Sequence, residues 1–138
     1  MSDTIVAIAT STATGAGVNI VRMSGEKAKE TADDIFVSKS IEKGNMEPNR
    51  MYLGDIITEK MKEKAFCVYY KKPKSYTGED VVEIHCHGGK LVANSIQDMC
   101  LEKGCRPAEP GEFTKRAFLN GKLNLAQAEG LMEVITAT

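Results

Sequence analysis

The sequence predicts an α+β fold, a mostly antiparallel sheet with helices packed against it. Segments with the two-residue alternation of strands follow one another across short turns, which favours antiparallel pairing. Helical periodicity occurs in separate blocks between and after the strand clusters, not strictly alternating with them. The 138 residues, 42% of them hydrophobic, are enough for one compact domain.

Residues 5–9, Ile-Val-Ala-Ile-Ala, read as a first strand, and the small turn-forming residues 11–17 follow. Residues 18–23 read as a second strand, with Ile20 and Arg22 on one face and Val21 and Met23 on the other. Ser24 is placed to cap a helix near 25–37, whose apolar face carries Ala28, Ala32, Ile35 and Phe36. A loop over 38–50 precedes strands at 51–58 and 65–70, joined by the charged connection 59–64. The next strand is 81–86. Gly88-Gly89 stops it, and a helix near 90–103 turns Leu91, Val92, Ile96, Met99 and Cys100 inward before ending at Gly104. A proline-punctuated loop, 105–111, leads to a short helix, 112–119. Asn124 starts the last helix, and Gln127 three residues on completes a capping box. Its apolar stripe is Leu125, Ala128, Leu131, Met132 and Ile135. No glycine, proline or basic last turn ends that helix, so the sequence reads as part of a longer protein.

Composition narrows the function. With 18 basic and 19 acidic residues the net charge is −1, which gives no global attraction to nucleic acid or membrane. No apolar run approaches the ~20 residues of a membrane span. A basic, apolar leader is not visible at the start, so a cytoplasmic location is expected. Cys67, Cys86, Cys100 and Cys105 form no Cys-x-x-Cys pair and are expected as free thiols. His85-Cys86-His87 has none of the usual zinc spacings, and Cys86 points away from both histidines, so no metal site is expected. The histidines are expected to pack beside the Gly-Gly turn. Gly15-Ala-Gly17 lies between two strands and lacks the context of a dinucleotide fingerprint. The Gly-x-x-x-x-Gly-Lys-[Ser/Thr] phosphate loop and the Gly-x-Ser-x-Gly elbow are absent from the sequence.

Residues 73–89, Pro-Lys-Ser-Tyr-Thr-Gly-Glu-Asp-Val-Val-Glu-Ile-His-Cys-His-Gly-Gly, carry most of the chemistry. Val82, Ile84 and Cys86 share one strand face; Val81, Glu83, His85 and His87 share the other. A carboxylate on a core-type strand costs free energy unless it is paired. Arg22, mid-strand, and Lys122, just after the Asn120-Gly121 helix stop, supply cations from two other segments. The three charges read either as an internal salt-bridge network or as a site for a ligand with an amide-like donor edge and a negative tail. A carboxylate takes two parallel N–H bonds from a 2-aminopyrimidinone edge, and cations hold carboxylates at the far end.

That block, together with residues 106–129, Arg-Pro-Ala-Glu-Pro-Gly-Glu-Phe-Thr-Lys-Arg-Ala-Phe-Leu-Asn-Gly-Lys-Leu-Asn-Leu-Ala-Gln-Ala-Glu, closely resembles the N-terminal part of the tRNA-modification GTPase family MnmE (TrmE). Asp3–Thr10 and Ile20–Gly25 match the family's opening. The resemblance covers nearly the whole chain, loosening at 11–19 and 38–64. It implies a folate-binding, homodimerising domain over 1–120, similar in fold to the folate-binding domain of the glycine-cleavage aminomethyltransferase. It implies the start of a central helical domain at 121–138, with the G domain absent from this chain. Members of the family work with the flavoprotein MnmG to install an aminomethyl-type group on the wobble uridine of tRNA. A 5-formyl- or 5,10-methylene-tetrahydrofolate supplies the one-carbon unit, and the full-length parent hydrolyses GTP with Mg2+ and K+. The family's folate contacts fall on Arg22, Glu83 and Lys122. Glu83 is implied for the pterin amino and ring N–H groups, and Arg22 and Lys122 for the carbonyl, the one-carbon region or the glutamate tail. Two departures stand out. The family's Thr-Pro-Pro-Gly-Arg-Gly-Gly loop is here Thr10-Ser-Thr-Ala-Thr-Gly-Ala-Gly17, and Asn124 replaces an aspartate. The altered loop leaves open an alternative, a dimerisation scaffold with a degenerate folate pocket.

Overall fold

A computed structural model describes residues 3–9 and 17–137, the last five by their backbone alone. Strand β1 (Ile5–Ile8) pairs antiparallel with β2 (Asn19–Ser24), setting Val6 opposite Met23 and Ala7 opposite Arg22. The altered family loop between these strands lies outside the described residues, apart from Gly17. Helix α1 (Ala28–Ile35) follows and buries Ala28, Thr31, Ala32 and Ile35.

Ser24 does not cap this helix. It continues β2, and its hydroxyl bonds Thr77 and Glu79 instead. Thr4 takes part of the capping role from outside the helix: its Oγ1 accepts the Lys27 N–H at 2.9 Å. The helix is also shorter than expected. Phe36 belongs to β3 (Phe36–Val37), which pairs with β4 (Met51–Ile57).

From β4 a tight turn, closed by Thr58 N–H to Met61 O, leads into β5 (Lys62–Tyr70). The charged residues 62–64 therefore extend the strand instead of looping out, and Lys64 pairs across the ladder with Asp55 at 3.4 Å. Strand β6 (Val81–Cys86) lies between β5 and β2, antiparallel to both.

Helix α2 (Gly89–Glu102) begins at Gly88, whose φ of 96° favours glycine. Val92, Ala93, Ile96 and Cys100 face inward, whereas Leu91, expected inside, is 75% exposed. Ala93 occupies the inward position. Next come β7 (Arg106–Pro107), α3 (Glu112–Leu119) and α4 (Leu125–Ala137). The capping box forms as expected: Asn124 N–H donates to Gln127 Oε1 at 2.9 Å, and Gln127 N–H donates to Asn124 Oδ1 at 2.8 Å. Ala128 of the α4 stripe is buried and Leu125 is exposed; the Ile135 side chain lies outside the described residues.

The sheet runs β3-β4-β5-β6-β2-β1-β7. Every pairing is antiparallel except β1 with β7, so the sheet is mixed. The two additional strands, β3 and β7, are two residues long, too short for periodicity to reveal. Alternation sorts the strands into two faces. Val6, Val21, Met23, Cys67, Tyr69, Val82, Ile84 and Cys86 point to the core under α1 and α2. Burying each Val or Ile there stabilises the fold by about 1.5–3 kcal/mol. All four cysteines are free and buried. The opposite face carries Ile20, Arg22, Glu83, His85 and Phe66, and α3 meets β2 through Phe113 beside Arg22 and Arg116 beside Ser24.

Candidate functional site

The ladder register decides the site. Arg22 on β2 lies directly opposite Glu83 on β6, both on the face turned away from the core. Arg22 Nε–H donates to Glu83 Oε2 at 2.9 Å, and Arg22 Nη2 lies 2.8 Å from the same oxygen. Two residues along β6, His85 Nε2 lies 3.1 Å from Glu83 Oε1. His85 thus bonds Glu83, and His87, next to the Gly-Gly turn in sequence, is exposed. The hydrogen bond from His85, with the charge and hydrogen bond of Arg22, holds the Glu83 carboxyl below the usual carboxylate range, against partial burial that pushes it up.

Lys122 is placed by a different device. Helix α3 ends at Leu119, Gly121 turns at φ 76°, and Lys122 N–H donates to Ala117 O at 2.8 Å. Its stem lies against the loop between β5 and β6, where a Cβ on Gly78 would meet Lys122 Cγ at 3.4 Å. The ammonium is exposed and makes no ion pair among the described residues. The structure therefore joins Arg22 to Glu83 and sets Lys122 on the loop that leads into β6. Of the two readings left open by the sequence, an internal salt bridge accounts for two of the three charges and not for the third.

A cleft of about 410 Å³ opens beside Arg22, lined by Arg22, Tyr76, Gly111, Phe113, Thr114 and Leu131. The Arg22 guanidinium sits over the Phe113 ring, 5.5 Å from its centroid. Tyr76 and Thr114 share a hydroxyl–hydroxyl hydrogen bond of 2.9 Å across the cleft's edge.

Behind that wall is an ion cluster that sequence reasoning missed. Arg116, 6% exposed, donates to Glu79 at 3.0 Å, to Glu112 at 3.4 Å and to Ser24 O at 3.4 Å. Arg106 grips the same Glu112 with both terminal nitrogens and reaches Asp3 at 2.8 Å. Asn120 Nδ2 donates to Thr77 O at 2.8 Å. These bonds fasten α3 to the 73–80 loop and to β2. The available signal was Glu112 and Arg116 at a helical i, i+4 spacing. Among the described residues, no three His, Cys, Asp or Glu side chains converge as a metal site.

Comparison with known proteins gives the family. The family model described as GTP-binding protein TrmE N-terminus matches residues 4–122. The chain belongs to this family. Its relatives include the tRNA modification GTPase MnmE of Alkaliphilus oremlandii, 50% identical with 99% of this chain and 30% of the relative covered. The protein of the same name from Clostridioides difficile is 48% identical at 99% and 30% coverage. That of Pseudothermotoga lettingae is 44% identical at 100% and 30%. The chain spans about 30% of the length of these relatives. The TrmE N-terminal match takes in Arg22, Glu79, Glu83, Arg106, Glu112, Arg116 and Lys122, and stops before α4.

Proposed function

We propose that this chain is the tetrahydrofolate-binding, homodimer-forming N-terminal module of a GTPase that modifies the wobble uridine of tRNA together with a flavoprotein partner. The observation that carries the reading is a carboxylate set between a guanidinium and an imidazole on the sheet face turned away from the core, beside a cleft with aromatic walls. An ionised Glu83 suits the amino and ring N–H edge of a pterin. Phe113 and Tyr76 offer flat apolar surface beside it. Arg22 and Lys122 are the cations available to a carbonyl or to a glutamate tail. The chemistry of the donors and acceptors thus fits a reduced folate, which would supply a one-carbon unit.

In this reading the folate domain is 1–120 and resembles in fold the folate-binding domain of the glycine-cleavage aminomethyltransferase. Residues from 121 onward open a central helical domain, and GTP, Mg2+ and K+ belong to the remainder of a cytoplasmic parent. A second copy of the chain has a surface to meet. On the outer face of β3, β4 and β5, Val37 (54%), Met51 (49%), Leu53 (54%) and Phe66 (42%) are exposed, and Leu53 is paired directly with Phe66.

The test is calorimetric titration of 5-formyltetrahydrofolate into this chain and into Glu83→Ala, with sedimentation to read the dimer. The expected result is saturable binding by the parent. The variant should bind about tenfold or more weakly, since hydrogen bonds to a charged partner are lost, and its dimer mass should be unchanged. A folded, dimeric parent that takes up no folate would favour the scaffold with a degenerate pocket.

A further inference from the structure

Both oxygens of Glu83 face donors from the protein itself. Arg22 covers Oε2 with two nitrogens, at 2.9 and 2.8 Å, and His85 Nε2 lies 3.1 Å from Oε1. A guanidinium presents coplanar N–H groups on neighbouring nitrogens, the same donor pattern as the amino and ring N–H edge of a 2-aminopyrimidinone. An incoming edge that places one N–H on each oxygen meets Arg22 at Oε2. The cleft is lined by Arg22 together with Phe113, so a ligand in it lies against the arginine that pairs with the carboxylate.

We infer that Arg22 is the specificity gate of this site, an internal donor that a ligand must displace from Glu83 and that then turns to the ligand's anionic end. The inference rests on the folate reading and adds a requirement to it. Arg22 rather than His85 is the group that moves. Its stem is long, and its cation already lies over the Phe113 ring, 5.5 Å from the centroid, among the residues that line the cleft. His85 is held two residues from Glu83 on the same strand.

Displacement exchanges a charge-assisted pair for bonds from a neutral donor edge, which is unfavourable alone. The exchange becomes favourable when the ligand returns an anionic partner to the arginine. A ligand is therefore accepted only if it carries both a donor edge for Glu83 and a carboxylate for Arg22. A reduced pterin without a tail offers Arg22 only a neutral carbonyl, so the lost charge pairing is not made good.

The experiment titrates this chain, Arg22→Gln and Arg22→Lys with two probes, 5-formyltetrahydrofolate and the tail-less 6-methyltetrahydropterin. Arginine Nε–H resonances are followed by nitrogen–proton NMR, with the Arg22 signal assigned by its loss in the variants. Removing the gate should weaken the folate about tenfold and tighten the tail-less pterin by a comparable factor. Arg22→Lys keeps the charge on the ladder without the fork, and should tighten the pterin while losing less folate affinity. In the parent, the Arg22 Nε–H resonance should shift when folate saturates the site. Equal weakening of both probes, an unchanged pterin affinity, or a stationary Arg22 resonance would each overturn the gate and leave the folate reading standing. A parent that binds neither probe would sink both together.

Discussion

Arg116 and Glu112 show how single side chains frame the site without entering it. A guanidinium 6% exposed must keep its partners, and Arg116 has Glu79, Glu112 and the Ser24 carbonyl. Glu112 is gripped from two sides, by Arg106 and by Arg116. The hydrogen bonds from Arg106, with the charges of both arginines, bring the Glu112 carboxyl down from 4.5 to about 2. The sign follows from linkage. A carboxyl whose folded value is depressed adds stability that is fully present above 4.5 and is lost as the pH falls toward 2. Glu112→Gln should therefore lower stability at neutral pH and flatten the stability profile between those two values. Urea denaturation across that acid range checks it, and an unchanged profile would remove Glu112 from the account.

At the scale of elements, the sheet edge depends on one glycine. Gly54 in β4 sits where β3 folds against it: a Cβ there would strike the Val37 carbonyl and approach the Phe36 ring at 2.7 Å. The neighbour on the tight side is backbone, which cannot swing away. Gly54→Ala should cost about 1–3 kcal/mol by overpacking. The loss would show as a lower thermal midpoint, with exchange protection lost first at Phe36 and Val37. Retained protection there would mean that β3 can shift without penalty. Other elements were already legible. The capping box of α4, the bounds of α3 and the two-faced alternation of β6 follow from local spacing, and all three are present. Ser24 and Phe36 were misread for one reason. Each has a local pattern compatible with a helix, but a ladder partner far along the chain, Val81 for Ser24 and Ile56 for Phe36, holds it in the sheet.

For the molecule as a whole, the two sheet faces differ: one packs under α1 and α2, and the other carries the Arg22–Glu83 pair. The thiols lie with the packed side: burial pushes Cys67 and Cys100 up to about 12, and Cys86 and Cys105 upward as well. Thiols with raised values stay neutral and poorly nucleophilic at neutral pH. A thiol reagent at pH 7.5 should label none of the four within minutes in the native chain and all four in 6 M guanidinium. Rapid native labelling of any one would show that the core under α1 and α2 opens readily.

The sequence alone determined the α+β class, the order of the long elements and the family. Those features reside in alternation, capping and motif, which are local properties of the chain. The tertiary structure alone decided that Arg22 faces Glu83 across a ladder, that His85 turns to the same carboxylate, and that Lys122 stands apart from both. It also decided that β7 joins β1 in parallel and that Arg116 ties α3 to β2. The Arg22–Glu83, β1–β7 and Arg116 contacts each unite residues many positions apart, through strand register and packing that no local window contains.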